Sequence, residues 1–123
     1  MQSAIVVKDL LKTFNIPVDS TYRFFRKRKF RNITAINGID FRVKKGELVG
    51  LIGKNGAGKT TTLKCLTGLL VPDSGEMEVL GYVPSERRYE FLQKISMVMG
   101  NRSQLWWELP ARETFLLNKE IYQ

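Results

Sequence analysis

Residues 48–61 read LVGLIGKNGAGKTT, and they carry the most informative pattern in the chain. It opens with a short, continuous apolar run over residues 48–52, which is typical of a strand buried on both faces of a sheet. Gly53 follows this run directly. From Gly58 onward, Leu63, Leu66 and Leu70 recur at helical spacing, which predicts an amphipathic helix over residues 58–70 with these leucines toward a core. The stretch therefore predicts a buried strand, a glycine-rich turn and a helix in direct succession.

The turn matches the pattern G-x-x-x-x-G-K-[ST] in full over residues 53–60. Its glycines permit positive φ angles and close backbone approach, so that successive N–H groups can surround phosphate oxygens. The N-terminus of the following helix adds partial positive charge at the same place. The alternative is a glycine-rich strand-to-helix turn with a solvated lysine. We predict that the phosphates are bound by Asn55, Gly56, Ala57, Gly58, Lys59, Thr60 and Thr61. Lys59 should reach the β- and γ-phosphates, Thr60 should bind Mg²⁺ through its hydroxyl, and Thr61 should donate to the α-phosphate.

The rest of the chain predicts alternating strands and helices. The predicted strands cover residues 4–8, 33–43 with a break at Asn37-Gly38, 76–80 and 95–99. Residues 72–75 predict a turn, Ser85 an N-cap for a helix over 86–93, and Pro110 the start of a final helix. This order predicts an α/β fold with a mostly parallel sheet, flanking helices and an antiparallel N-terminal β portion.

The excess positive charge lies mainly in one segment. The chain has 20 Lys and Arg against 12 Asp and Glu, a formal charge of +8. Six of the basic residues and no acid lie between Arg23 and Arg31, so the remainder holds 14 − 12 = +2. Aromatic residues interleave with these charges. Three interpretations stay open: a solvated insertion folded back on the domain, contact with an anionic membrane surface, and nucleic-acid binding, which is the least expected.

The composition excludes several classes of protein. A hydrophobic fraction of 43% supplies a core and argues against global disorder. One Cys and no His exclude an internal disulfide framework, a Cys/His zinc cluster and a histidine base, and Cys65 is expected to be a small buried apolar residue. No apolar run approaches the roughly 18 residues of a spanning helix. We therefore expect a soluble, intracellular type of chain.

Four stretches resemble the ATP-binding subunits of ABC transporters: AINGIDF at 35–41, GELVGLIG at 46–53, NGAGKTT at 55–61 and LTGLLVPDSG at 66–75. The resemblance implies a P-loop NTPase core, ATP and Mg²⁺ as cofactors, a transmembrane permease and a second ATP-binding subunit as partners, and a place at the inner face of the cell membrane. It also implies that residues 1–123 are the N-terminal part of one ATP-binding domain, incomplete as it stands, with a basic-aromatic insertion at about residues 17–32. The insertion and residues 104–107 resemble a bacterial exporter-type subgroup.

The resemblance also implies roles for residues outside the loop. Phe14 lies where the family has an aromatic that stacks on adenine, although core packing is an alternative for it. Asn101 lies where the family has a glutamine that senses the γ-phosphate through Mg²⁺, with Gln104 as a second candidate. Trp106 and Trp107 lie in a loop that faces the permease in the family, and core packing stays open for each.

Several motifs of the family have no counterpart in this sequence. These are the signature sequence, the acidic strand with the catalytic glutamate, and the switch histidine. Hydrolysis needs a water-positioning residue and further Mg²⁺ ligands besides a phosphate cradle, so we expect this chain to be hydrolytically inactive by itself. Two alternatives stay open at this point: a basic interaction module for membrane surfaces or nucleic acid, and another kind of P-loop NTPase.

Overall fold

A computed structural model describes residues 3–18, 30–100 and 110–121. Its sheet has three strands, β1 (Ser3–Pro17), β2 (Phe30–Lys44) and β3 (Ser74–Val79), in the spatial order β2-β1-β3. β1 is central and pairs antiparallel with both neighbours. The predicted strands over 4–8, 33–43 and 76–80 are all present; the first two are longer than predicted, and the third begins two residues earlier and ends at Val79. This sheet is the antiparallel N-terminal portion that the sequence predicts.

The break predicted at Asn37-Gly38 is a bulge inside β2. Leu10 pairs with Ile39 and Leu11 pairs with Asn37, so Gly38 is an extra residue on the β2 side. Gly38 has a φ of 61°, a conformation that glycine adopts without strain. The bulge lets both strands continue over 15 residues each.

The helix after the glycine-rich turn is α1 (Lys59–Leu66), which packs on the sheet. The core is one cluster from three strands and this helix, made of Val7, Leu10, Ile36, Cys65 and Met77. Leu66 and Leu70 pack against it as predicted, and Cys65 is fully buried. Leu63 was predicted to face the core but is 44% exposed, because the buried face of α1 is formed by Thr62 and Cys65.

Helix α1 is shorter than the predicted 58–70. Thr67 caps it, and Gly68 follows with a φ of 69°. A residue in this left-handed conformation ends a helix, and glycine adopts it most easily.

Two predicted strands are absent from the described part of the chain. Residues 48–52 form an extended segment in which Leu48 is 100% and Ile52 96% exposed. Residues 95–99 likewise form no strand, and Val98 is 76% exposed. A strand buried on both faces requires hydrogen-bonded neighbours and covering layers, and the three strands described here pair only with one another. The apolar pattern is present without the partners that make it a strand.

The segment predicted as a helix over 86–93 is divided in two. A 3-10 turn covers Pro84–Glu86, and helix α2 covers Tyr89–Leu92. Arg87 separates them with a left-handed φ of 49°, and Arg88 is the N-cap of α2. Ser85 therefore lies inside the 3-10 turn and is not an N-cap. The final helix predicted after Pro110 is confirmed as α3 (Ala111–Ile121).

None of the helices described in 3–18, 30–100 and 110–121 combines the length and the apolar character that a membrane span requires.

Candidate phosphate-binding site

The glycine-rich loop is built around two left-handed glycines. Gly56 has a φ of 81° and Gly58 a φ of 86°. The Ala57 N–H donates to the Lys54 carbonyl at 3.2 Å and closes a turn between them. A Cβ added at Gly56 would meet nothing within 4 Å, whereas one added at Gly58 would lie 2.1 Å from the Ala35 carbonyl oxygen on β2. One glycine thus faces open space, and the other lets α1 begin directly against the sheet.

The Lys59 ammonium is hydrogen-bonded to the beginning of this loop. Its Nζ donates to the Gly53 carbonyl at 2.5 Å and to the Lys54 carbonyl at 2.6 Å. The ion pairs found among the described residues are Lys8–Glu76, Lys12–Asp73 and Arg88–Glu86, so no carboxylate there neutralises Lys59. A half-buried cation held by neutral carbonyls is a suitable partner for an anion that enters the loop.

The first turn of α1 presents its N–H groups at the same place. Gly58 is the N-cap and has no side chain that could accept their hydrogen bonds, and the first turn contains no acid. The Thr62 hydroxyl donates to the Gly58 carbonyl at 3.0 Å and anchors the turn from the buried side. The free N–H groups and the helix dipole both favour a bound anion here.

The structure therefore brings the predicted phosphate-binding residues together in one loop and helix start. Their donor set of backbone N–H groups, one ammonium and hydroxyls fits a phosphate chain. The individual binding roles of Asn55, Gly56, Ala57, Gly58, Lys59, Thr60 and Thr61 stay predictions.

The residues present also fit a magnesium ion that is held partly by phosphate. The Thr60 hydroxyl is exposed on the first turn of α1. Within the described ranges, His, Cys, Asp and Glu form no group of three or more that could hold a metal by themselves. Mg²⁺ commonly keeps several waters and is bound through one or two protein groups and substrate phosphates. Thr60 would be such a protein ligand, and Asn101, predicted as another, lies outside the described residues.

The predicted adenine-stacking residue lies on the central strand. Phe14 is half-buried on β1, opposite Ile33 of β2. The Lys12 ammonium lies over its ring, 5.7 Å from the ring centroid. Its stacking role stays a prediction. Gln104, Trp106 and Trp107 lie outside the described residues, as does the predicted basic segment from Arg23 up to residue 29.

Sequence reasoning missed a polar cluster beside Phe14. Asp73 accepts from Lys12 Nζ and from the Thr13 N–H, each at 2.6 Å. These hydrogen bonds, the one from Lys12 above all, lower the pKa of the Asp73 carboxyl. The sequence indicates Asp73 only as part of a turn, and no local pattern connects it to residues 12–14 of a distant strand.

The class of protein follows from this arrangement. A glycine-rich loop that leads into a helix beginning with Lys-Thr is the phosphate-binding loop of P-loop nucleotide-binding proteins. The family model described as ABC transporter matches residues 36–122, and the chain belongs to that family.

Known proteins similar to this chain agree with the family. The chain is 33% identical over 104 residues to the ABC transporter ATP-binding protein NatA of Bacillus subtilis, covering 85% of this chain and 42% of NatA. It is 54% identical over 95 residues to a probable multidrug ABC transporter ATP-binding protein, YbhF, of Escherichia coli, covering 77% of this chain and 16% of YbhF. A solved structure of an ATP-binding subunit of an ABC transporter superposes with a TM-score of 0.71 at 27% identity, covering 97% of this chain and 42% of that one.

These similarities confirm the predicted fold class of an incomplete P-loop NTPase domain with an antiparallel N-terminal β portion. They do not favour the basic interaction module or another kind of P-loop NTPase. The chain spans less than half the length of the relatives compared with it.

Proposed function

We propose that this chain binds Mg-ATP through residues 53–61, as part of an ABC transporter ATP-binding subunit that powers a membrane permease. The observation that carries the proposal is the Lys59 ammonium, which lies across the loop on the Gly53 and Lys54 carbonyls beside the open N-terminus of α1. An entering phosphate would exchange these neutral acceptors for charged oxygen atoms. The gain in interaction strength favours the bound state.

A titration with matched variants tests the proposal. A hydrogen bond to a charged group contributes about 1.5–3 kcal/mol, which corresponds to roughly 10- to 150-fold in affinity. We expect a loss of that size for ATP in Lys59→Ala, measured by calorimetry in the presence of Mg²⁺. Lys64→Ala is the control, because Lys64 lies in the last turn of the same helix and its removal changes the net charge equally. Equal affinities of wild type and Lys59→Ala would refute the phosphate role.

The metal role of Thr60 has a separate test. Mg²⁺ supplies charge neutralisation between phosphate oxygens when it is bound, and Thr60 would add one protein oxygen to its ligands. We expect Mg²⁺ to strengthen ATP binding in wild type and in Thr60→Ser, which keeps the hydroxyl. Thr60→Ala should show a smaller difference between titrations with Mg²⁺ and with EDTA. An unchanged difference in Thr60→Ala would contradict this assignment.

Hydrolysis is proposed for the full-length protein and not for residues 1–123 alone. The loop holds phosphate and metal, but hydrolysis also needs a residue that positions or activates water. We expect residues 1–123 by themselves to release no phosphate above background. Turnover that disappears in Lys59→Ala would overturn this expectation.

The partners and the location are also proposed from the family. The full-length subunit would pair with a second ATP-binding subunit and contact a permease at the inner face of the membrane, with Trp106 and Trp107 as candidates for that contact. The segment from Arg23 to Arg31 is a candidate for additional contact with anionic lipid. Its two described residues, Phe30 and Arg31, are exposed at the start of β2. Salt-dependent binding to anionic but not neutral vesicles would support the lipid contact, and equal binding to both would refute it.

A further inference from the structure

A lysine on the central strand is held in a fixed place beside an aromatic ring. Lys12 Nζ lies 2.6 Å from Asp73 Oδ1 and 5.7 Å from the centroid of the Phe14 ring. The Lys12 side chain is only 15% exposed, compared with 53% for Lys8 on the same strand. Lys12 therefore differs from an ordinary surface lysine whose side chain samples many conformations.

The acid that holds Lys12 is itself fixed to β1. The Asp73 N–H donates to the Leu11 carbonyl at 2.9 Å, and its second carboxylate oxygen accepts from the Thr13 N–H at 2.6 Å. Residues on both sides of Lys12 thus bind the same aspartate. The turn between α1 and β3 is attached to the central strand beside the Phe14 ring.

An ammonium within about 6 Å of a ring centroid is attracted by the electrons of the ring face. This contact and the ion pair together restrict where Phe14 can lie. Phe14 is half-buried, so the residue is not fully enclosed by the fold. A ring that is already ordered loses less conformational entropy when a base stacks on it.

We propose that the Lys12 ammonium, held by Asp73, orders the Phe14 ring and thereby raises the affinity of the site for the base of a nucleotide. Lys12 is a positioning residue and touches no phosphate. This inference rests on the proposed nucleotide function. It gives Lys12, acting through Phe14, a part in distinguishing a nucleoside triphosphate from a bare phosphate chain.

The experiment compares ATP with inorganic tripolyphosphate, which has the phosphates and lacks the base. We expect Lys12→Met to weaken ATP binding by at most about 5-fold and to leave tripolyphosphate unchanged. The limit is the full strength of an exposed cation–ring contact, because this contact is already present before ATP binds. Lys12→Arg should retain wild-type ATP affinity, because its guanidinium keeps the charge and the pairing with Asp73. Both ligands are titrated calorimetrically into the same protein preparations.

A matched control removes a lysine from the same strand. Lys8 pairs with Glu76 of β3 at 2.8 Å, as Lys12 pairs with Asp73. Lys8→Met therefore removes the same charge and an ion pair to β1, but at a more exposed place. We expect it to change the affinity for neither ligand. Should it weaken ATP as much as Lys12→Met does, general charge and not the position beside Phe14 would be responsible, and the inference would fail.

Further outcomes of these titrations test the positioning role of Lys12. Equal weakening of ATP and tripolyphosphate in Lys12→Met, or unchanged ATP affinity, would overturn the role of Lys12. If Lys12→Met does not fold by circular dichroism, Lys12→Gln takes its place, because its amide can still hydrogen-bond to Asp73 without the charge. In a Phe14→Leu background, Lys12→Met should add no further loss, and an additive loss would overturn the inference. The Lys59→Ala titration remains independent, since its failure removes the nucleotide function itself.

Discussion

Gly58 is the position where the glycine-rich loop depends most directly on the packing of the sheet. Its φ of 86° lies in the left-handed region, and a Cβ there would lie 2.1 Å from the Ala35 carbonyl oxygen. We expect Gly58→Ala to destabilise the fold for both reasons. The backbone conformation alone costs an L-residue about 1–2 kcal/mol.

The steric part requires α1 and β2 to move apart. Real Cβ atoms essentially never come closer than 3.0 Å to another heavy atom, so the contact must open by at least 3.0 − 2.1 = 0.9 Å. The atom that must move is a backbone oxygen, and no side-chain rotation can relieve it. Overpacking of this kind costs about 1–3 kcal/mol, so the total expected loss is about 2–5 kcal/mol.

Two other glycines separate the backbone contribution from the steric contribution. Gly46 has a φ of 81° with nothing within 4 Å of an added Cβ, and Gly50 has open space and no positive φ. Gly46→Ala should therefore lose only about 1–2 kcal/mol, and Gly50→Ala should lie within about 0.5 kcal/mol of wild type. Urea unfolding followed by circular dichroism gives all three values. If Gly58→Ala loses no more than Gly46→Ala, the close approach of α1 to β2 is refuted.

Three further predictions concern groups away from the loop. Because hydrogen bonds, the one from Lys12 above all, lower the pKa of Asp73, its ionised form stabilises the folded state above the ordinary Asp pKa of about 3.9, and this contribution is lost as the pH falls through the lowered folded value. The urea midpoints of wild type and Asp73→Asn should therefore differ at pH 6, and the difference should shrink as the pH falls below about 3.9; a constant difference would contradict the assignment. Burial raises the pKa of the Cys65 thiol, so it should react with a thiol reagent at pH 8 only after unfolding, and rapid labelling of the native protein would contradict its place in the core. Leu48→Ser and Ile52→Ser should each change the unfolding free energy by less than about 0.5 kcal/mol, because both side chains are almost fully exposed; a loss of several kcal/mol would show that these residues are buried.

Local sequence patterns predicted those elements whose stability is mainly local. The helix after the loop begins at Lys59, next to the predicted Gly58, because glycine and the following threonines suit a helix start that is open to an anion. The bulge at Gly38 follows from the freedom of glycine to adopt a positive φ. The helix after Pro110 follows from the preference of proline for the start of a helix.

The same patterns failed where a structure requires a distant partner. Residues 48–52 have the composition of a buried strand, but the described chain places no strand beside them, and Leu48 is fully exposed. Arg87 interrupts the helix predicted over 86–93 with a left-handed backbone. Its guanidinium donates to the Gly68 carbonyl at 3.0 Å, a contact between two segments that no periodicity indicates.

The phosphate loop can be predicted from the sequence alone, because its chemistry resides in residues that are adjacent in the chain: glycines, a lysine and threonines at the start of a helix. The surroundings of that loop follow only from the folded structure. It placed Gly58 against the Ala35 carbonyl, and it placed Asp73 on Lys12, 61 positions away in sequence, beside Phe14. Such contacts depend on the pairing of strands and the packing of a helix on them, and these interactions join residues that no local spacing connects.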